Sequence, residues 1–426
     1  MLKELDLPLF APPICQAEPP EDIFEELRAF NAYGERTREF EIKSSDGVTS
    51  VPAFLNEFWT SAQRAANNLH EVSYRACFKP QLPRFFIERL TTAGEVVYDP
   101  FMGRGTTLLE AAFLARIPYG NDINPLSRML IAPRLNPPAV SAIAQRLGQI
   151  DWSEVGESLR EDLLVFYHPE TLREITALRS YFLQRADRPE LDRVDEWIRM
   201  VAINRLTGHS GGFFSVYTLP PNQAVSVESQ IKINEKRTQV PPRRNVSKLI
   251  LRKSQSLLQD ITPQTAESLH RVTAKSLLTT APAAATDQIS SQSVSLVVTS
   301  PPFLKVVDYA GDNWLRCWFA GIDAEAVPIT MSSSLNSWQA EMTAVFHELR
   351  RVLRPGGHVA FEVGEVCGGT VKLEETVITA ARDAGLAPLL VLINQQEFTK
   401  TANCWGVDNN AKGTNSNRIV LLRKDD

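Results

Sequence analysis

At 426 residues, with 43% hydrophobic and 22% charged residues and a formal net charge of -5, the chain has the make-up of a globular protein, either one α/β domain with a large insertion or two domains. The mild acidity excludes a surface basic throughout, so any contact with a polyanion must be local. The five cysteines (Cys15, Cys77, Cys317, Cys367, Cys404) lack a CxxC pair, which argues against a zinc knuckle or disulfide framework, and no bilayer-length apolar run or signal-peptide pattern is present, so a cytoplasmic protein without membrane contact is expected.

In chain order, residues 1–76 read as a leader whose helical part, FLNEFWTSAQRAANNLHEV (54–72), has apolar positions at helical spacing. A helix is expected at RFFIERLTTAG (84–94), a buried strand at EVVYD (95–99), a glycine turn, a helix at TTLLEAAFLAR (106–116) and a second strand ending at YGND (119–122). Residues 135–265 are helical and polar, end in the Gly/Pro-bearing TGHSGGFFSVYTLPPNQ (207–223) and a basic stretch, and read as an insertion into a domain made of 77–134 and 266–426. Strands resume at HRVTAKSLL (270–278) and SVSLVVTS (293–300). A helix AEMTAVFHELRRVL (340–353), a turn RPGG (354–357) and a strand HVAFEVGEV (358–366) follow, then an antiparallel pair from APLLVLINQQEF (387–398) and NRIVLLRK (417–424).

The segment YDPFMGRGTT (98–107) sits where a strand hands over to a helix. Gly103 and Gly105 let backbone approach a ligand, and the helix behind them offers free N–H groups. The third glycine of a pyrophosphate fingerprint is replaced by Leu108 and no GK[ST] follows, so a pyrophosphate is not favoured. Asp99 points instead to a ligand with a positive group, and Asp122, 17 positions after Gly105, stands where an acid accepts ribose hydroxyls. Adenosine plus an amino group means S-adenosylmethionine. With equal weight, the glycines only tighten the turn and Asp122 caps the next helix.

DPFMGRGTT resembles the DPFxGxGTT motif of the amino-group DNA methyltransferases, which modify cytosine N4 or adenine N6, and TSPPF (299–303) resembles their catalytic motif. FKPQLP (78–83) is similar to the family's cofactor-closing motif, GNDINP (120–125) to its ribose motif and LRPGGHVAFEVGEV (353–366) to a later core strand. The resemblance implies an α/β Rossmann-like methyltransferase fold, with a mixed seven-stranded sheet, helices on both faces and a largely helical insertion. It assigns the cofactor S-adenosylmethionine to Phe78, Pro80, Asp99, Phe101, Gly103, Gly105, Thr106 and Asp122, and catalysis to Ser300, Pro301, Pro302 and Phe303, with no metal. Two departures stand out. VTAKSLL offers Ala274, Lys275 and Ser276 where the family often has an acid near the adenine, and the insertion lies between the second and third strands, away from the commoner places for target recognition.

The motif suits its chemistry. An amine conjugated to a base ring is a poor nucleophile, and acceptors aimed at its hydrogens draw its lone pair back as charge develops. By the resemblance these are Ser300 Oγ and the Pro301 carbonyl, on a backbone fixed by consecutive prolines, with Phe303 stacked on a flipped-out base. No Pro-Cys pair occurs, which argues against cytosine C5 chemistry. Asp308, Tyr309 and Trp314 are base-pocket candidates, or equally the core face of a helix.

Between Lys232 and Lys253 stand eight basic residues against one acid, Glu235, and Lys236, Arg237, Arg243, Arg244 and Lys248 are the expected phosphate contacts. The resulting expectation is a site-specific methyltransferase of double-stranded DNA acting on cytosine N4, since Ser at the first catalytic position is the family's cytosine habit, with a cognate restriction endonuclease as a companion that the resemblance allows. The alternatives are adenine N6, an RNA amino-group methyltransferase, and a DNA-binding protein without catalysis.

Overall fold

The computed structural model describes residues 22–60, 66–75, 77–153, 159–219, 225–302, 308–328, 334–366, 371–395 and 416–425. After α1 (Ile23–Ala29), β1 (Arg38–Lys43) and β2 (Ser50–Asn56) form an antiparallel hairpin. Then come α2 (Gln81–Leu90), β3 (Val96–Asp99), α3 (Thr106–Phe113), β4 (Ile117–Asn121) and α4 (Pro125–Leu135), the last started by the Asn124 cap and Pro125. Five helices follow: α5 (Val140–Gln149), α6 (Pro169–Asp187), α7 (Arg193–Ile203), α8 (Val227–Arg237) and α9 (Val246–Leu257). The chain re-enters the sheet through α10 (Pro263–Thr273), β5 (Leu277–Thr279) and β6 (Val294–Thr299), followed by α11 (Tyr309–Ala320), α12 (Leu335–Val352) and β7 (Leu353–Val363). A small separate hairpin, β8 (Glu365–Val366) and β9 (Val371–Lys372), precedes α13 (Leu373–Asp383), β10 (Ala387–Gln395) and β11 (Ser416–Arg423).

The main sheet runs β1-β2-β10-β11-β7-β6-β3-β4-β5. Strands β5, β4, β3, β6 and β7 are parallel, and β11 lies antiparallel between β7 and β10. The sheet therefore has nine strands where seven were expected. Seven of them come from the residues expected to build it, and two come from 1–76, because β2 pairs in parallel with β10 and covers an edge that would otherwise present unpaired N–H and C=O groups.

Alternation along the strands divides the core. Val97, Leu296, Val298, Ala360 and Leu421 face α1 and α2, whereas Tyr98, Val297, Val359, Phe361 and Val420 face α12 and α13. Strand β6 is buried along its whole length, as a central parallel strand covered on both faces must be. Helices α5–α7 and α9 pack with α3, α4 and α10 around a further core centred on Trp197, Phe166 and Ile198.

Three local expectations are corrected. The helix expected over 54–72 begins inside β2, because sheet pairing overrides the local periodicity; among the described residues beyond it, Asn68–His70 form a 3-10 turn, and 61–65 lie outside the described residues. The first part of the strand expected at 270–278, His270 to Thr273, is the end of α10, whose Thr262 cap, Pro263 start and buried Leu269 favour the helix, and strand structure begins only at Leu277. The RPGG segment lies within β7 rather than before it, with Gly356 at φ 72° and its N–H donating to the Lys424 carbonyl.

Candidate active site

The chain order moves from β3 to β4 and β5 on one side and resumes with β6 and β7 on the other, so the carboxyl ends of β3 and β6 flank a crevice where such sheets bind ligands. A cavity of about 450 Å³ opens there. It is lined by Phe78, Asp99, Phe101, Gly103, Thr106, Asp122, Ser300 and Pro302 among others, which joins eight of the expected site residues in one place. Pro80, Gly105 and Pro301 are absent from the lining: Pro80 precedes α2, Gly105 caps α3, and Pro301 is buried. Phe303 lies outside the described residues.

The glycine turn is built by backbone constraints. Gly105 adopts φ 77°, and a Cβ there would stand 2.5 Å from Ile131 Cγ1. The Gly103 N–H donates to Asp122 Oδ2 at 2.8 Å, and the Asn124 N–H donates to Asp122 Oδ1 at 2.9 Å, which aims the carboxylate at the turn from the end of β4. Each oxygen keeps a further lone pair for a ligand hydroxyl.

Asp99 binds the two motifs together. Its Oδ1 accepts the Thr299 hydroxyl at 2.6 Å and the Phe101 N–H at 3.1 Å, so the residue before the SPP turn is fastened to the acid before the glycine turn. Burial pushes the Asp99 carboxyl up to about 7, with a smaller upward contribution from the neighbouring Asp122 charge. Burial also raises Asp122. Two carboxyls held in a largely apolar cavity form an environment that a cation and hydroxyl groups would relieve.

Some participants were not anticipated from sequence. Trp338 of α12 lines the cavity and donates its indole N–H to the Pro302 carbonyl at 3.1 Å. The Pro301 carbonyl takes no donor among the described residues. Glu362 of β7, one residue past the Phe361 that pairs with Thr299, sits beside Ser300 and accepts from the Asn417 amide at 2.8 Å. Burial raises its carboxyl, and the Ser300 hydroxyl and Asn417 amide draw it partly back. The carboxylate within AFEV, in an otherwise apolar strand, was the available signal. Asp308 and Trp314 do not line the cavity: Asp308 caps α11, accepting from the Gly311 N–H, and Trp314 donates to the Val225 carbonyl. The side chain of Tyr309 lies outside the described residues.

The basic stretch divides into engaged and open groups. Arg243 is ion-paired to Glu170 at 2.6 Å and also to Glu174. Arg244 lies against Gly211, with a buried Nε that has no partner. Arg237 stacks over the Tyr217 ring at 3.8 Å. Lys236 and Lys248 are exposed and have no ion pair among the described residues. No described group of three His, Cys, Asp or Glu could hold a metal ion, and no described helix is long and apolar enough to cross a membrane.

Residues 29–128, which include β3 and the glycine turn, match the family model described as DNA methylase. The chain is 32% identical over 160 residues to Type II methyltransferase M.MvaI of Kocuria varians, covering 37% of this chain and 31% of that one. It is 32% identical over 76 residues to Type II methyltransferase M.MjaII of Methanocaldococcus jannaschii, covering 18% of this chain and 14% of that one, so the match spans less than a third of either relative. Among solved structures, TTHA0409 of Thermus thermophilus complexed with S-adenosyl-L-methionine is 23% identical, covering 32% of this chain and 50% of that one with a TM-score of 0.20.

Proposed function

We propose, from the premise that the chain belongs to the amino-group DNA methylase family, that it transfers a methyl group from S-adenosylmethionine to the exocyclic amine of a flipped-out base in duplex DNA, and that this amine is cytosine N4. The observation that carries the reading is the Thr299–Asp99 hydrogen bond, which sets a cation-seeking carboxyl and the SPP turn on one cavity.

The cavity fits that cofactor by its donor set. Asp99 would hold the amino group, Asp122 the ribose hydroxyls, and Phe78 and Phe101 the apolar parts. When bound, S-adenosylmethionine supplies a methyl group on a positively charged sulfur. Ser300 and the Pro301 carbonyl accept the amine hydrogens, which restores the nitrogen lone pair, while Trp338 fixes the turn through Pro302. With its O–H directed to Glu362, Ser300 Oγ presents its lone pairs to the amine. Transfer of labelled methyl from S-adenosylmethionine to duplex DNA by the purified protein tests the reading, and label appearing only in structured RNA would replace it with the RNA alternative.

The Asp99 carboxyl gives a pH signature. Its folded value of about 7 exceeds the ordinary 3.8, so the folded state binds the extra proton and the ligand-free protein loses stability as pH rises from 3.8 to about 7. A ligand cation beside Asp99 requires the carboxylate. Cofactor binding at pH 6 therefore releases a proton, and affinity climbs by up to about tenfold per pH unit until the carboxyl is ionised. Calorimetry in buffers of different ionisation enthalpy reads the proton. Its absence at pH 6, or its persistence in Asp99→Asn, contradicts the assignment.

Phosphate binding rests on the open lysines. The double variant Lys236→Ala, Lys248→Ala should weaken DNA binding across sequences and reduce the log–log salt slope by about one for each phosphate that is no longer neutralised. An unchanged slope makes these residues a solvated face. Arg243→Ala should act chiefly on stability, because it strips both Glu170 and Glu174 of their partner.

A further inference from the structure

The arginine inside the glycine turn holds the neighbouring wall of the cavity from behind its lining. Arg104 does not line the cavity, yet Nη1 donates to the His70 and Val72 carbonyls at 3.2 and 3.1 Å, Nη2 to the Phe78 carbonyl at 3.4 Å, and Nε to Thr106 Oγ1 at 3.1 Å. Fully buried Arg134 of α4 extends the clamp: Nη1 donates to the Leu69 carbonyl at 3.0 Å, Nε to the Leu130 carbonyl at 2.8 Å, and Nη2 to the carbonyl of Arg104 itself. Two guanidinium groups satisfied mainly by carbonyls are a costly arrangement for a mere surface loop. The clamped residues 69–75, 77 and 78 contribute Tyr74, Arg75, Cys77 and Phe78 to the cavity lining.

The same wall is tied to elements beyond the glycine turn. Asn204, just after α7, accepts the Ser73 N–H at 3.0 Å, and Lys253 of α9 pairs with Glu71 at 2.7 Å. Arg75 pairs with Asp312 of α11 at 2.7 Å. The wall therefore has outer anchors on the insertion and on the helix after the catalytic turn, and its inner anchor is Arg104.

We propose that Arg104 is a positioning residue that sets this wall against the glycine turn and so sets cofactor affinity without touching the cofactor. The affinity part rests on the S-adenosylmethionine reading; the wall-setting part does not.

The test uses full-length Arg104→Met, which keeps the stem and removes every donor, and Arg104→Lys, which restores one charged donor. Hydrogen exchange without ligand should be at least about tenfold faster in peptides covering the wall in Arg104→Met, with strands β3 and β6 still protected. The Kd for S-adenosylmethionine should weaken by roughly ten- to a hundredfold, as expected for loss of charge-assisted hydrogen bonds, with Arg104→Lys intermediate. The cofactor KM should rise in step, with kcat at saturation changing less. Wild-type exchange and affinity in Arg104→Met overturn the proposal; if that variant does not fold, wild-type values in Arg104→Lys do so. A wall that loosens in a protein whose wild type does not bind S-adenosylmethionine defeats the cofactor reading and leaves the clamp standing.

Discussion

Ser300→Ala should lower turnover by about 10²–10³-fold, the range seen when one preorganised polar group is removed from a developing charge, and should leave cofactor affinity within about twofold. The asymmetry follows from where Ser300 sits. It is the first residue beyond the buried β6, held by the Thr299–Asp99 hydrogen bond on one side and by Glu362 on the other. In the proposed mechanism its acceptor is needed chiefly as positive charge grows on the attacking nitrogen, so its loss should raise the barrier and hardly alter the ground state. Glu362→Gln should give a smaller loss in the same parameter, because the amide can still orient the hydroxyl but lacks the charge. Single-turnover methylation separates chemistry from product release, and calorimetry gives the affinity. A Ser300→Ala protein with wild-type single-turnover rate would remove the hydroxyl from the mechanism.

Gly105→Ala should be the most damaging single-methyl change in the site, and more damaging than Gly103→Ala. Both glycines have positive φ, 77° and 47°, which costs an alanine about 1–3 kcal/mol. Only at Gly105 does the new Cβ also meet three Ile131 carbons at 2.5 to 2.8 Å; at Gly103 the nearest atom is Tyr74 Cε1 at 3.5 Å, an ordinary contact. Overpacking adds about 1–3 kcal/mol, so Gly105→Ala should cost roughly 2–6 kcal/mol in all, a large part of a typical folding stability of about 5–15 kcal/mol. Urea midpoints of the two variants read the difference. Equal midpoints would mean that Ile131 yields freely and that the turn is not set by close packing.

The parts of the fold legible in sequence were those with local signals. The runs at β3 and β6 are short, apolar and bounded by turn residues, and they proved to be the adjacent central strands that carry both motifs. The β1–β2 hairpin had a local signal that the reading of 1–76 passed over, the Asp46-Gly47 turn with Gly47 at φ 73°, whereas the pairing of β2 with β10, which begins more than 300 residues later, has no local signature. At α10 the signal existed, a Thr-Pro start, but the alternation in RVTAKSLL was followed instead. Eight site residues met at one cavity because their segments flank one crevice, whereas Trp338 and Tyr74 reach it from elsewhere in the chain and Glu362 reaches Ser300 from β7. The pairing of Arg243 with Glu170 and Glu174 likewise depends on α6 lying beside it, which composition cannot reveal.

In the proposed reading, a neutral, short acceptor at the head of the SPP turn selects an exocyclic amine for methyl transfer. Mass spectrometry of nucleosides from duplex DNA incubated with the purified protein and S-adenosylmethionine tests it most directly. The expected product is N4-methylcytosine, formed about 10²–10³-fold more slowly when Ser300→Ala replaces the wild type. N6-methyladenine as the sole product would contradict the Ser-based choice of cytosine, and methyl groups found only on ring carbon would contradict the amine mechanism itself.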